Sequence, residues 1–328
     1  MLCTQLSCLP VAMMTNPKIR FPLKSNGLRL SFVLVAFALW IGLTPQRTPA
    51  ASPGWAATAS LLLPGVGQAL NGDYPEAAAH FATYMALTNN YFIREEKPEF
   101  LLPEDRIDDE NKVIYTNRTT FEADLFLTWA FNQQLYSSYG AYRDARQAIN
   151  NKGYTTPAPD ESLAELAVAP FNPQHLLRPT TFIPLVLPLI VLNSALSDEQ
   201  YIYQPDDTLD KQDLRKGFFL MHEAVALGEE SFFRGVLNNS FSNSLGEGWG
   251  LAASSAAFGL AHSGSAGQAS APAAALFGGY LGYLQQKNDY RIGQGVAIHF
   301  WWNFLVSLSM LKERPTQPVQ LISFYTEF

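Results

Sequence analysis

The sequence is poor in cysteine and in charge, and both shortages limit what the protein can be. Only two cysteines occur, Cys3 and Cys8, and both precede Met13 and Met14, either of which could be the start of translation. A mature protein without them has no disulfide, no thiolate nucleophile and no cysteine-based metal site. Charged residues make up 16% of the 328 residues, against about 25% in typical soluble proteins. This share indicates a chain with long apolar segments.

Acidic side chains are absent from the first 50 residues, whereas the remainder of the chain is acidic. Residues 1–50 hold five basic residues, so residues 51–328 carry 17 basic residues against 29 acidic ones. Such a chain has no basic stripe that could neutralise phosphates, which argues against a nucleic-acid partner. Gly65-Val66-Gly67 lacks the third glycine of a dinucleotide-binding loop. We therefore expect no cofactor and no nucleic acid.

The first 50 residues have the features of a signal segment. Basic residues precede the stretch from Ser31 to Leu43, thirteen residues without charge, and Thr48-Pro49-Ala50 provides small residues where a signal peptidase could cut. The uncharged stretch is shorter than the roughly 20 residues of a spanning helix. Residues 1–50 are therefore predicted to be a signal peptide, with an uncleaved N-terminal anchor as the alternative.

Residues 51–178 are predicted to form a mainly helical N-terminal region that is membrane-associated or peripheral. From Thr119 to Asn150 apolar and aromatic residues recur at helical spacing, which predicts one long amphipathic helix. Residues 94–118 are charged and show no periodicity, so we expect a solvated loop there. Residues 151–178 contain four prolines and are predicted to be a linker.

From residue 179 onward the chain is much poorer in charge. Stretches of helical length with few or no charges occur at about 179–197, 216–239, 248–262, 270–287 and 292–311. Residues 248–286 carry no charge, and one helix of that length would reach about 58 Å, twice a bilayer core. We therefore expect a break between Ser263 and Gly267.

The predicted fold class is all-α, a polytopic membrane helix bundle with about five core spans. The core is assigned to residues 179–314 and a tail to residues 315–328. Small residues are frequent in three of the predicted helices, as close packing of membrane helices requires. The predicted location is the inner membrane of a bacterial cell, multi-pass, with membrane lipid as a partner.

Ionisable residues are costly inside such a bundle, so those that remain are candidate site residues. Glu230 and Arg234 are four residues apart, on one helix face, where they can form an ion pair. Glu229 lies about 100° further around the helix. A poorly solvated carboxylate without a counter-charge has a raised proton affinity, as a general base requires. Both acids could instead serve only to neutralise arginine or to cap a loop.

Two histidine motifs follow on later predicted helices. Phe258 and His262 are four residues apart, as are His299 and Asn303, so each pair shares a helix face. His299 and Asn303 could direct two hydrogen-bond donors at one point, which is what holding an oxyanion requires. Each of these residues alone is also consistent with a structural role.

In this order, the motifs EExxxR, FxxxH and HxxxN resemble the CPBP (CAAX protease and bacteriocin-processing, or Abi) family of intramembrane glutamic endopeptidases. The resemblance covers roughly residues 215–312. It implies four catalytic residues, Glu229, His262, His299 and Asn303, and two supporting residues, Glu230 and Arg234. The glutamate would activate water with help from the first histidine, and the second histidine and the asparagine would form an oxyanion pocket. The resemblance therefore implies a metal-independent peptidase that acts on a peptide or a membrane-protein substrate.

Two other functions remain open from the sequence. The same fold could serve as a non-catalytic membrane interaction or immunity protein, in which the motif residues would be structural. Alternatively, two histidines and a carboxylate could form a zinc-like hydrolase site with an open position. His222-Glu223 does not extend to a zincin motif, because Ala226 stands where the second histidine would be.

Overall fold

The computed structural model describes residues 51–102, 117–158, 160–193, 208–263 and 270–310. Within these ranges all regular secondary structure is helical, which confirms the all-α prediction. The predicted signal segment and the predicted tail lie outside the described residues.

The N-terminal region is mainly helical, as predicted. It contains α1 (Pro53–Leu62), α2 (Val66–Leu70), α3 (Tyr74–Glu95) and α4 (Arg118–Ala148). Asn117 begins the long helix α4 by accepting a hydrogen bond from the Thr120 amide at 2.9 Å, the usual role of an N-cap asparagine. The helix predicted at 119–150 is therefore confirmed. Of the loop expected at 94–118, residues 96–102 are irregular and 103–116 lie outside the described ranges.

The segment predicted to be a linker is partly helical. It contains α5 (Leu163–Val168), a 3₁₀ turn (Ala169–Phe171) and α6 (Pro173–Leu176). It leads directly into α7 (Pro179–Asn193), a helix that packs against the last helix of the chain.

The C-terminal region has helices at all five predicted places. They are α7, α8 (Lys211–Glu229) with a π-helical segment (Glu230–Asn238) and α9 (Asn239–Leu245), α10 (Glu247–Ala261), α11 (Ser270–Lys287) and α12 (Gly293–Met310). Helix α10 ends at Ala261, just before the predicted break, and residues 264–267 of that break lie outside the described residues. A nine-residue π-helical segment is unusual, since i→i+5 bonding mostly occurs as single turns and often at functional sites.

The membrane-spanning part of the prediction concerns the length and hydropathy of these helices. In the described residues, no helix is both long enough and apolar enough to cross a membrane. Helix α10 has 15 residues, about 22 Å at 1.5 Å per residue, whereas a bilayer core is about 30 Å thick. Helix α8 begins with charged residues, and glutamine, histidine and asparagine reduce the hydropathy of α11 and α12.

Helix α4 packs lengthwise against α8 and the π-helical segment. Two glycines of α8 and one of the π-helical segment each face one side chain of α4. The pairs are Phe121–Gly217, Asn132–Gly228 and Tyr139–Gly235. Each pair is 96 residues apart in the chain, so the two elements run parallel in a constant register. A Cβ at any of the three glycines would lie 2.2–2.3 Å from an atom of its partner. Only glycine permits this close approach, and the N-terminal region therefore packs directly on the helix that carries Glu229.

Candidate active site

Glu229 and Glu230 lie where α8 passes into the π-helical segment. Glu229 is the last residue of α8 and Glu230 is the first residue of the wider turn. The six predicted site residues each have at most 4% of their surface exposed: Glu229, Glu230, Arg234, His262, His299 and Asn303. Burying two adjacent carboxylates is unfavourable unless each one is compensated, and the structure compensates them differently.

Glu230 has two charged or polar partners. Its Oε2 lies 3.2 Å from Arg234 Nε, so the ion pair predicted from the four-residue spacing is present. Its Oε1 accepts a hydrogen bond from His299 Nδ1 at 2.8 Å. The Arg234 guanidinium carbon lies 4.2 Å from the ring centre of Phe258, a cation–π contact. Glu230 therefore links the first motif directly to the third, with its charge neutralised by arginine.

Glu229 has no comparable partner. Its Oε2 is buried and, among the described residues, has no hydrogen-bond partner. The same oxygen lies 3.9 Å from His262 Nε2 and 3.8 Å from His299 Nε2. Both separations are too long for a direct hydrogen bond, but one small molecule can bridge groups at such distances. The three motifs thus converge on the Glu229 carboxylate.

Burial is the largest influence on the pKa values of Glu229 and His262. Burial raises the pKa of Glu229 to about 7; the nearby His299 and Arg234 oppose the rise and the Glu230 carboxylate adds to it. Burial lowers the pKa of the His262 ring to about 3, so this ring is neutral at pH 7. Between the two facing groups, Glu229 is the one that takes up a proton near neutral pH.

The hydrogen bonds of the two histidine rings fix which nitrogen carries a proton. His262 Nδ1 lies 2.7 Å from the Phe258 carbonyl oxygen, which can only accept, so the neutral ring has its lone pair at Nε2. His299 Nδ1 donates to Glu230 in the same way. Its Nε2 therefore bears a hydrogen only when the ring is doubly protonated. Asn303 lies one turn further along α12, on the same face as His299.

Sequence analysis missed a second buried contact between α8 and α12. His222 Nε2 lies 2.6 Å from Ser307 Oγ, and burial lowers the pKa of His222 to about 3. The signal that could have found it is spacing, because Ser307 continues the four-residue series of His299 and Asn303. In the sequence, His222 stands out only as the first residue of an incomplete zincin motif.

The same side chains would be the donors of a zinc-like site. Within the described ranges, however, no group of three or more His, Cys, Asp and Glu side chains is arranged so that it could hold a metal ion.

Comparison with protein-family models gives a match within the C-terminal region. Residues 214–305 match the family described as "Rce1-like: Type II CAAX prenyl endopeptidase Rce1-like". This range includes all six residues of the predicted site. Comparisons with curated proteins and with solved structures gave no significant match. The resemblance inferred from the three motifs is thereby confirmed for residues 214–305, which are similar to this family.

Proposed function

We propose that the protein is an endopeptidase in which Glu229 activates a water molecule for attack on a peptide bond. The observation that carries the proposal is the buried Glu229 Oε2, which lies within 3.9 Å of ring nitrogens from two other helices. A carboxyl with a pKa of about 7 is also suited to gain and release a proton near neutral pH.

In the proposed reaction, Glu229 removes a proton from water while the water oxygen bonds to the carbonyl carbon of the substrate. The lone pair at His262 Nε2 accepts a hydrogen bond from the same water and orients it. The tetrahedral intermediate then breaks its carbon–nitrogen bond, and the Glu229 carboxyl gives its proton to the leaving amine. One carboxyl therefore acts first as base and then as acid.

The oxyanion of the intermediate requires hydrogen-bond donors, which we assign to His299 and Asn303. His299 can donate from Nε2 only with both ring nitrogens protonated, and the Glu230 carboxylate is the counter-charge for that form. Glu230 is itself held by Arg234. This assignment gives Glu230 a positioning role and leaves the proton transfer to Glu229.

The substrate we propose is a peptide or an exposed segment of a membrane protein. The description of the matched family names a CAAX prenyl endopeptidase, so a farnesylated CAAX peptide is the first probe. The same peptide without the prenyl group is the second probe, because the site geometry alone does not require a lipid on the substrate.

The test compares cleavage of both peptides by wild-type protein and by E229Q, with products identified by mass spectrometry. We expect E229Q to lose about 10²–10⁴-fold in rate, the usual contribution of a general base. The matched control is E223Q, the same substitution on α8 at a half-buried glutamate, which should cleave at the wild-type rate.

Two results would favour the other functions. Activity that a chelator removes and zinc restores would indicate a metal-dependent hydrolase. A cellular phenotype that E229Q leaves intact would indicate a protein that acts by binding a partner. Cleavage by E229Q at the wild-type rate would contradict the proposed mechanism.

A further inference from the structure

The N-terminus of α12, the helix that carries His299 and Asn303, is capped by a side chain from the segment predicted to be a linker. Both carboxylate oxygens of Glu161 accept main-chain hydrogen bonds, one from Ile292 and one from Gly293, the latter at 2.9 Å. The first amides of a helix have no partner within the helix. A carboxylate at this end is also favoured by the helix dipole.

The capping carboxylate is itself held in place. Glu161 is 8% exposed, and its carbonyl oxygen accepts a hydrogen bond from Arg143 Nη1 on α4 at 3.0 Å. A Cβ at Gly293 would lie 2.8 Å from Glu161 Oε1 and 2.9 Å from His175 Nε2. Glycine at this position therefore leaves room for the carboxylate.

The same segment contacts α12 again, just beyond His299. Trp301 Nε1 donates a hydrogen bond to the Pro170 carbonyl oxygen at 2.7 Å. The ring of Phe171 packs edge-on against Phe300 and Trp301. The segment thus holds α12 on both sides of His299, six residues before it and one or two residues after it.

We propose that Glu161 is a positioning residue for His299. An α-helix turns by about 100° per residue and rises 1.5 Å, so a small rotation or slide of α12 moves His299 Nε2 away from Glu229 Oε2, now 3.8 Å distant. A misplacement of about 1 Å can lower a rate about 10²-fold. Glu161 lies outside the matched family region, residues 214–305, so this contact comes from the N-terminal part of this chain.

The test uses E161Q in the full-length protein. A glutamine has nearly the same shape, but its NH₂ group cannot accept a hydrogen bond. This group would face one of the two main-chain N–H groups that now donate to the carboxylate. E165Q is the matched control, because Glu165 lies in the same segment, is exposed and caps α5 through Ser162. E161D keeps the charge with a shorter reach, and should lie between E161Q and the wild type.

Two readouts are needed, since the inference rests on the proposed function for its effect on rate. We expect E161Q to lower kcat about tenfold or more, with KM changed less than about twofold, and E165Q to change neither. The chain has five histidines, so ring ¹⁵N spectra can be assigned by substitution. We expect the His299 signals to shift in E161Q and the His80 signals to stay.

Wild-type His299 signals in folded E161Q, or equal effects of E161Q and E165Q on kcat, would overturn the assignment. Failure of the proposed function would look different. In that case the wild-type protein cleaves neither peptide, while the His299 signals still report whether Glu161 positions α12.

Discussion

Replacing Glu229 by glutamine should stabilise the fold while it removes activity. Burial raises the pKa of this carboxyl from its ordinary value of 4.5 to about 7 in the folded chain. By linkage, the difference between the two pKa values corresponds to as much as about 3 kcal/mol of lost stability when the group is ionised. Glutamine has nearly the same shape and does not ionise. The free energy of unfolding of E229Q should therefore exceed that of the wild type by up to that amount.

The sign and the pH window follow from the two pKa values. Between about pH 4.5 and pH 7 the folded chain keeps a proton on Glu229 that the unfolded chain has released, so the contribution to stability falls as pH rises. Below this window both states are protonated and the penalty vanishes. The stability gained by E229Q should therefore be close to zero at pH 4 and should reach its full size at pH 8.

The assay is urea unfolding followed by far-UV circular dichroism, at both pH values, for wild-type protein and two variants. E230Q is the matched control, because it leaves Arg234 buried without its counter-charge and should lower stability by about 3–5 kcal/mol. A lower stability of E229Q at pH 8, or a difference from wild type that does not change with pH, would refute the reasoning.

Two further predictions concern pH and packing. The kcat/KM for peptide cleavage should fall about tenfold per pH unit well below pH 7, because protonated Glu229 cannot accept a proton; a flat profile from pH 5.5 to 8 would contradict its role as base. G228A should lower the free energy of unfolding by about 1–3 kcal/mol, since the new Cβ would lie 2.3 Å from Asn132 Oδ1. G248A, in the open surroundings of α10, is the control and should not destabilise.

The local parts of the fold could be predicted from the sequence because they depend on short spacings. The 3.6-residue period predicted α4, and the four-residue spacing of Glu230 and Arg234 predicted their ion pair. The end of α10 near Ala261 followed from the length that an uncharged stretch can span. These inferences need only the geometry of one helix and no knowledge of its neighbours.

The parts that depend on contacts between distant segments could not be predicted. Nothing in the sequence around Asn132 indicates that it faces Gly228, because that pairing depends on the register of two helices 96 residues apart. Glu161 likewise stands in a segment without periodicity, and its role appears only when α12 is next to it.

The different roles proposed for the two adjacent glutamates follow from a single ring on α12. His299 meets Glu230 through Nδ1 at 2.8 Å and meets Glu229 through Nε2 at 3.8 Å. The first contact is a hydrogen bond to a carboxylate that also forms an ion pair with Arg234. The second contact leaves room for a bridging group beside a carboxylate oxygen that has no hydrogen-bond partner in the described part of the chain. The assignment of the chemistry to Glu229 therefore does not depend on the family match, because the uneven sharing of one arginine and one imidazole already separates the two acids.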